Sequence, residues 1–176
     1  EELLGWYAQL KGLRFASLRY FNAAGYDLDG KIKGLESEPN NLLPIVMEAV
    51  IGKRPFVEVF GTDYNTPDGS CIRDYIHVND LADGHVRALE YLTSETDNPI
   101  LNLGTSNGMS VLEILEHTKY LSHSNFDVRF GSRRLGDPAI VLAKADKAKS
   151  VLGWEAKRSD PKTLINSMLN VYRATH

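Results

Sequence analysis

Along this chain, stretches with apolar residues every three or four positions alternate with shorter stretches that are apolar throughout or at every second position. Glu1 to Leu10 is of the first kind: Leu3, Trp6, Tyr7 and Leu10 share one helical face, and Gly12 suits the helix end. Phe15 to Phe21 is of the second kind and predicts a buried strand. The small-residue turn Asn22-Ala23-Ala24-Gly25 follows it, where a ligand or another backbone can approach. From Tyr26 to Asn40 both periods fail and Gly, Asp, Lys and Glu dominate, which predicts a long surface loop. Asn40-Asn41 then opens an apolar helix over Leu42 to Ile51, with Pro44 tolerated in its first turn and Gly52 at its end.

The second half repeats the theme in shorter units. Phe56 to Phe60 alternates around Glu58 as a strand, and Tyr64 to Gly69 is dense in turn residues. Ile72, Tyr75, Ile76 and Val78 have strand character. Asn79 or Asp80 is placed to cap a helix running through Leu81, Val86, Leu89 and Leu92. Ile100 to Leu103 predicts a strand, and Ser110 with Glu113 forms a capping box for a helix over Val111 to Leu121. Then come a strand over Phe126 to Phe130, a polar loop from Arg133 to Pro138, and a helix from Ala143 to Leu152 stopped by Gly153. Asp160 caps a last helix with Pro161 in first position and Leu164, Met168, Leu169 and Tyr172 facing inward.

Strands alternating with helices define an α/β class. The elements are shorter than those of a full doubly wound sheet. The pattern predicts the end of a nucleotide-binding parallel sheet over about residues 1–25, interleaved with a smaller α/β substrate-binding domain over about residues 26–176. Nothing resembling a cap precedes Glu1, so the chain is expected to begin within a helix of a longer protein.

Composition narrows the function classes. The 176 residues are 43% hydrophobic and 24% charged, with a net charge of -3, which gives no electrostatic case for nucleic acid or an anionic membrane surface. No apolar run approaches a membrane span. The single cysteine, Cys71, cannot form an internal disulfide, so a reducing cytosol is expected, and the five histidines lack metal-ligand spacing.

The candidate chemistry has plain alternatives. Gly104 to Gly108 tempts one toward a phosphate loop, but it lacks the glycine spacing of a dinucleotide fingerprint and no Gly-Lys-Ser/Thr follows, so a strand-to-helix turn is the better unaided reading. Arg73 and Arg134 lie on separate polar stretches, each near an acid (Asp74, Asp137). Two guanidinium forks can grip a diphosphate, yet ordinary ion pairs with those acids are the better unaided reading of the spacing. Asn22, Asn40 and Asn41 can present amides to phosphate or base edges, although helix capping is the simpler role for the last two. Tyr64 and Tyr75 serve packing as readily as binding. Unaided, the sequence defines an anion-binding α/β domain.

More specific are the strings Leu18-Arg19-Tyr20-Phe21-Asn22-Ala23-Ala24-Gly25, Pro39-Asn40-Asn41-Leu42, Phe60-Gly61-Thr62-Asp63-Tyr64 and Cys71-Ile72-Arg73-Asp74-Tyr75-Ile76-His77-Val78. With Asn102-Leu103-Gly104 and Arg133-Arg134-Leu135-Gly136-Asp137 in the same order, they resemble the UDP-glucose 4-epimerases, which are extended short-chain dehydrogenase/reductases. The resemblance implies the end of a Rossmann-type sheet, NAD as cofactor, a UDP-hexose substrate and a homodimer. It implies epimerisation at C4 through transient oxidation by bound NAD.

It also implies roles for particular positions. Phe21 would lie near the nicotinamide, Asn22 and Asn41 would contact the phosphates, and Leu42 would sit beside the nucleotide. Glu58 and Phe60 would frame the uracil, Arg73 and Arg134 would clamp the diphosphate, and Asp137 would bind the ribose hydroxyls, with Tyr75 alongside. Val141 falls where the family sets the room for the hexose, and its small size implies space for N-acetylated sugars. No Gly-x-x-Gly-x-x-Gly is present, and the resemblance places the catalytic Tyr-x-x-x-Lys pair upstream of Glu1. No residue of this chain is therefore expected to carry out the bond changes. Alternatives are a 4-epimerase of UDP-N-acetylglucosamine or a UDP-pentose, and a non-catalytic UDP-sugar-binding module.

Overall fold

The structure, a computed structural model, describes residues 1–175. Helix α1 (Glu2–Lys11) ends where Gly12 adopts a left-handed conformation with φ 67°. Its apolar face meets nothing: Leu3, Trp6, Tyr7 and Leu10 are all exposed. The predicted strand from Phe15 to Phe21 is shorter, β1 (Ser17–Arg19), and pairs in parallel with β6 (Ile100–Asn102). The turn expected at Asn22 to Gly25 is instead a strand, β2 (Asn22–Ala24), parallel to β5 (Tyr75–His77), with Asn22 opposite Tyr75. Small residues there serve close strand packing. Gly25 shows this most clearly: a Cβ on it would lie 2.6 Å from the His77 ring.

No helix or strand interrupts the chain from Gly25 to Asn41, as expected. Helix α2 (Leu42–Val50) follows, then β3 (Phe56–Phe60), whose Val57 and Val59 are buried while Phe56, Glu58 and Phe60 face the other way. β3 pairs in parallel with β8 (Asp127–Gly131). The strand read as Ile72 to Val78 is two strands broken at Asp74. β4 (Ile72–Arg73) lies between antiparallel β7 (Met109–Ser110) and parallel β9 (Ile140–Val141), whereas β5 belongs with β2.

Helix α3 (Val78–Ser94) starts earlier than expected, and its cap is His77, whose Nδ1 accepts from the Asn79 amide at 3.1 Å. Asp80 cannot cap it because its buried carboxylate is engaged elsewhere. It accepts from the Lys157 and Arg158 amides at 3.1 and 2.8 Å and from the Ser159 hydroxyl at 2.7 Å. Helix α4 (Val111–Ser122) carries the predicted capping box, and α6 (Pro161–Ala174) the predicted Asp160 cap. Between them, α5 (Asp146–Leu152) begins later than Ala143, whose amide is bound by Asp74.

The core has three parts. Helices α2, α4 and α6 pack around Leu43, Met47, Ile114, Leu164 and Met168. The β3/β8 sheet lies on α2 and α4 through Val46, Val57, Val59 and Leu115. Leu81, Leu101, Leu103, Ala148 and Trp154 join α3 and α5 to β6. No helix is long and apolar enough to cross a membrane among the described residues.

His77 is fully buried, and burial pushes its imidazole below the ordinary histidine range. Its Nε2 lies 3.3 Å from Ser167 Oγ, and Asp80, Arg158 and Asp160 are the charged groups that act on it. Folding therefore favours the neutral ring. Stability is full above the unfolded histidine pKa of about 6.5 and falls as the pH drops below it, where the unfolded chain takes up a proton that the folded chain refuses. Denaturant midpoints should decline between pH 7.5 and 5.5, and His77→Gln should flatten that decline; an unchanged profile in the variant would count against it.

Candidate functional site

A cavity of about 460 Å³ opens between the start of α2, the outward face of β3, the edge of β4 and the loop after β8. Asn22, Asn41, Leu42, Glu58, Phe60, Arg73, Tyr75, Arg134 and Asp137 line it together. Of the positions that sequence reading singled out for the site, Phe21 and Val141 lie outside this lining. Phe21 is half exposed after β1, and Val141 is on β9 opposite Arg73. Asn40, Ile45, Arg54, Phe56, Cys71 and Val111 also line the cavity. Asn40 was already a candidate amide in the sequence, and two more were readable: Phe56 by alternation with Glu58 and Phe60, and Ile45 by helical spacing from Leu42. Arg54 carried no such signal.

The cations are held in different ways. Arg73 does not pair with its neighbour Asp74. Its Nη2 binds Asp137, and its Nη1 donates to the Ile72 carbonyl at 2.9 Å. Arg134 does not pair with Asp137; its guanidinium stacks 3.9 Å from the centre of the Phe60 ring, which leaves its donor edge free. Arg133 stacks on Tyr64 at 4.2 Å and binds Asp63 at 2.7 Å. Arg54 is tied to buried Glu48 at 2.9 Å beside Lys53 at 2.6 Å. Burial alone would raise the Glu48 carboxyl, but the two cations outweigh it and hold the group below the usual carboxylate range.

The polar groups around these cations favour an anion. Neither Asn40 nor Asn41 caps α2 through its side chain: Asn41 occupies the cap position without a cap bond, and Asn40 Nδ2 donates to the Glu38 carbonyl at 3.4 Å. With no acid in the first turn and Pro44 lacking an N–H, the helix start presents bare amide donors to the cavity. Asn22 Oδ1 is buried without a donor in the chain. Tyr75 is buried and its phenol is pushed up by that burial, so it stays protonated and can donate. Glu58 is exposed on the cavity floor, with its carboxylate over Gly131; a Cβ there would come within 2.7 Å of Glu58 Oε1. Cys71 is a buried thiol with Sγ 3.9 Å from Asp137 Oδ2.

The turn-rich loop between β3 and β4 is fastened to the start of α4. Asp68 accepts from the Ser70 amide and hydroxyl, both at 2.8 Å, and from the Ser110 hydroxyl, while Ser110 Oγ caps α4 by accepting from the Glu113 amide at 3.0 Å. This knot fixes the approach of the chain to Cys71 and Arg73. A second, larger cleft of about 640 Å³ lies beyond Tyr75, between the Gly104 to Met109 stretch and the α5–α6 connection. Of the expected site residues it contains only Tyr75, so the smaller cavity is the candidate site.

One Tyr-x-x-x-Lys spacing does occur by letter, Tyr7 and Lys11. Both are exposed on α1, and neither lines the cavity. Among the described residues no group of three or more His, Cys, Asp or Glu is placed to hold a metal ion, and His176 lies outside them.

A parallel-stranded α/β fold with a donor-rich cavity beside a strand end is suited to an anionic ligand. The sequence profile of the NAD dependent epimerase/dehydratase family matches residues 1–104, and this chain belongs to that family. The UDP-glucose 4-epimerase of Rhizobium meliloti (strain 1021) is 46% identical over 155 residues, 88% of this chain and 47% of that protein. The crystal structure of UDP-glucose 4-epimerase from Brucella ovis in complex with NAD matches with a TM-score of 0.93 and 41% identity, covering 97% of this chain and 53% of that one. The Stenotrophomonas maltophila UDP-glucose-4-epimerase with bound NAD and formylated UDP-arabinopyranose matches with a TM-score of 0.92 and 38% identity, over 99% of this chain and 52% of that one. The chain thus spans about half the length of the relatives it matches.

Replacing Ser110 with Ala removes both the α4 cap and a donor to Asp68. It should cost about 1–2 kcal/mol of stability, read as a lower unfolding midpoint. A midpoint within error of the parent would show that the knot contributes nothing.

Proposed function

We propose that this chain is the UDP-sugar-binding half of an NAD-dependent UDP-glucose 4-epimerase. The observation that carries the reading is the gathering of Arg73, Arg134, Asn22 and the bare start of α2 around one cavity, with Asp137 and Glu58 as the acceptors. The nucleotide would lie across this cavity. Arg73 and Arg134 would hold the diphosphate, Asn22, Asn41 and Tyr75 would donate to its oxygens, and Asp137 would accept from the ribose hydroxyls. Leu42, Phe60 and Glu58 would bound the base.

The sugar end would extend toward Phe21 and Val141, outside the cavity. Phe21, half exposed at the end of β1, offers the flat apolar face on which a nicotinamide ring packs. NAD, when bound, supplies the hydride acceptor and donor for C4 of the hexose. In this reading β1 and β6 are the last strands of the NAD-binding sheet, and the elements around the cavity form the substrate domain. A cytosolic location accords with a single buried thiol, and a homodimer with the exposed apolar face of α1.

Calorimetric titration tests the proposal. The chain should bind UDP, Arg73→Ala should weaken that binding by about 10- to 100-fold (about 1.5–3 kcal/mol for hydrogen bonds to charged groups), and the chain alone should not convert UDP-galactose to UDP-glucose. Undiminished UDP affinity in Arg73→Ala, or turnover by the 176-residue chain, would refute it.

A further inference from the structure

Asp74 stands between Arg73 and Tyr75, both of which line the cavity, and it faces away from the cavity. Asp74 is 1% exposed. One oxygen accepts from the Thr105 amide at 2.9 Å and the Thr105 hydroxyl at 2.7 Å; the other accepts from the Ser106 and Ala143 amides, both at 3.1 Å. The Gly104 to Gly108 turn is therefore an anion cradle after all, but its anion is a side chain of its own polypeptide. Gly104 keeps the cradle open, since a Cβ there would come within 2.7 Å of Asp74 Oδ2 and 2.4 Å of the Ala143 Cβ.

The cradle ties down both neighbours of β4 at once. The Thr105 and Ser106 amides precede β7, and the Ala143 amide follows β9. At the other end of β9 lie two of the three acceptors of the Arg73 guanidinium. Nη1 reaches the Ala139 carbonyl at 3.5 Å, and Nη2 binds the Asp137 carboxylate. β9 is only two residues long, so its register against β4 rests on few bonds: Ile72 to the Ala139 carbonyl at 2.8 Å, Asp74 to the Val141 carbonyl at 3.1 Å, and the Asp74 carboxylate. A shift of β9 moves the Ala139 and Asp137 acceptors of Arg73 together, while the Ile72 carbonyl stays on β4.

We infer that Asp74 is a positioning residue for Arg73: by anchoring β9 and the Gly104 turn, its carboxylate sets the direction of the guanidinium that meets a bound nucleoside diphosphate. The inference rests on the UDP-sugar reading above. Its test is a double-mutant cycle read by calorimetric titration of UDP into the protein, Asp74→Asn, Arg73→Ala and the double variant.

Asp74→Asn should weaken UDP binding about tenfold when Arg73 is present and less than about twofold when it is Ala. Equal losses in both backgrounds, or none in either, would mean that Asp74 only stabilises the fold, and would overturn the inference. Should Asp74→Asn fail to fold, Thr105→Val carries the same comparison. A loss of about threefold confined to the Arg73 background supports the inference, and any other pattern overturns it. If the unmodified protein does not bind UDP at all, the functional reading falls and takes this inference with it.

Discussion

Buried carboxylates hold this structure together. Taking such a group out of water costs several kcal/mol even after relaxation, and a fold recovers that cost only by saturating the lone pairs. Asp74, Asp80 and Glu48 are each at most 4% exposed; the first two gather chain segments distant in sequence, and Glu48 ties down the turn that follows its own helix. Asp74 binds the turn before β7 and the end of β9. Asp80 collects three residues of the α5–α6 connection and, through its carbonyl, the Trp154 indole at 2.9 Å. Glu48 collects Lys53 and Arg54 where α2 gives way to β3. The first and third end at the cavity, so the cost of burying them also fixes where Arg73 and Arg54 point.

Local signals were readable in the sequence, and non-local partners were not. The alternation of Phe56 to Phe60, the Ser110–Glu113 capping box and the Asp160–Pro161 helix start each depend on neighbours within a few residues, and each stands as expected. Asn22 to Ala24 looked like a turn because small residues signal turns locally; its strand identity comes from β5, 53 positions further along the chain. Asp80 looked like a helix cap for the same reason, until the α5–α6 connection claimed it. The ion pairs were misjudged in kind. Proximity in sequence linked Arg73 to Asp74 and Arg134 to Asp137, but Asp74 sits at the break between β4 and β5 and turns toward the Gly104 turn, while Arg134 is held on the Phe60 ring. Arg73 therefore found Asp137, and Asp74 found a set of amides.

The same contrast explains how much of the candidate site was legible. Residues on regular elements inherit their facing from the period, so Phe56 beside Glu58 and Phe60, or Ile45 beside Leu42, follow once the element is known. Arg54 and Cys71 lie between elements, where no period exists to fix their direction. Val141 shows the limit from the other side. Its position on β9 is well defined, yet its side chain lies outside the lining of the cavity.

The two arginines assigned to the diphosphate are prepared for it in complementary ways. Arg134 is fixed by a ring face and leaves its edge donors free, so little side-chain entropy is left to lose when an anion arrives. Arg73 is fixed by a carboxylate, and an incoming phosphate has to share it with Asp137. In the proposed complex that sharing favours a ligand carrying hydroxyl donors for Asp137 next to an anion for Arg73, which is the layout of a ribose joined to a diphosphate. Inorganic pyrophosphate offers only the anion and would leave the carboxylate facing negative charge. The Phe60 face is covered by Arg134, so a base would meet that ring at its edge or its far side. In that complex the nucleotide would be gripped at several fixed points and the sugar beyond them left free to turn, as hydride return to either face of the C4 ketone would require.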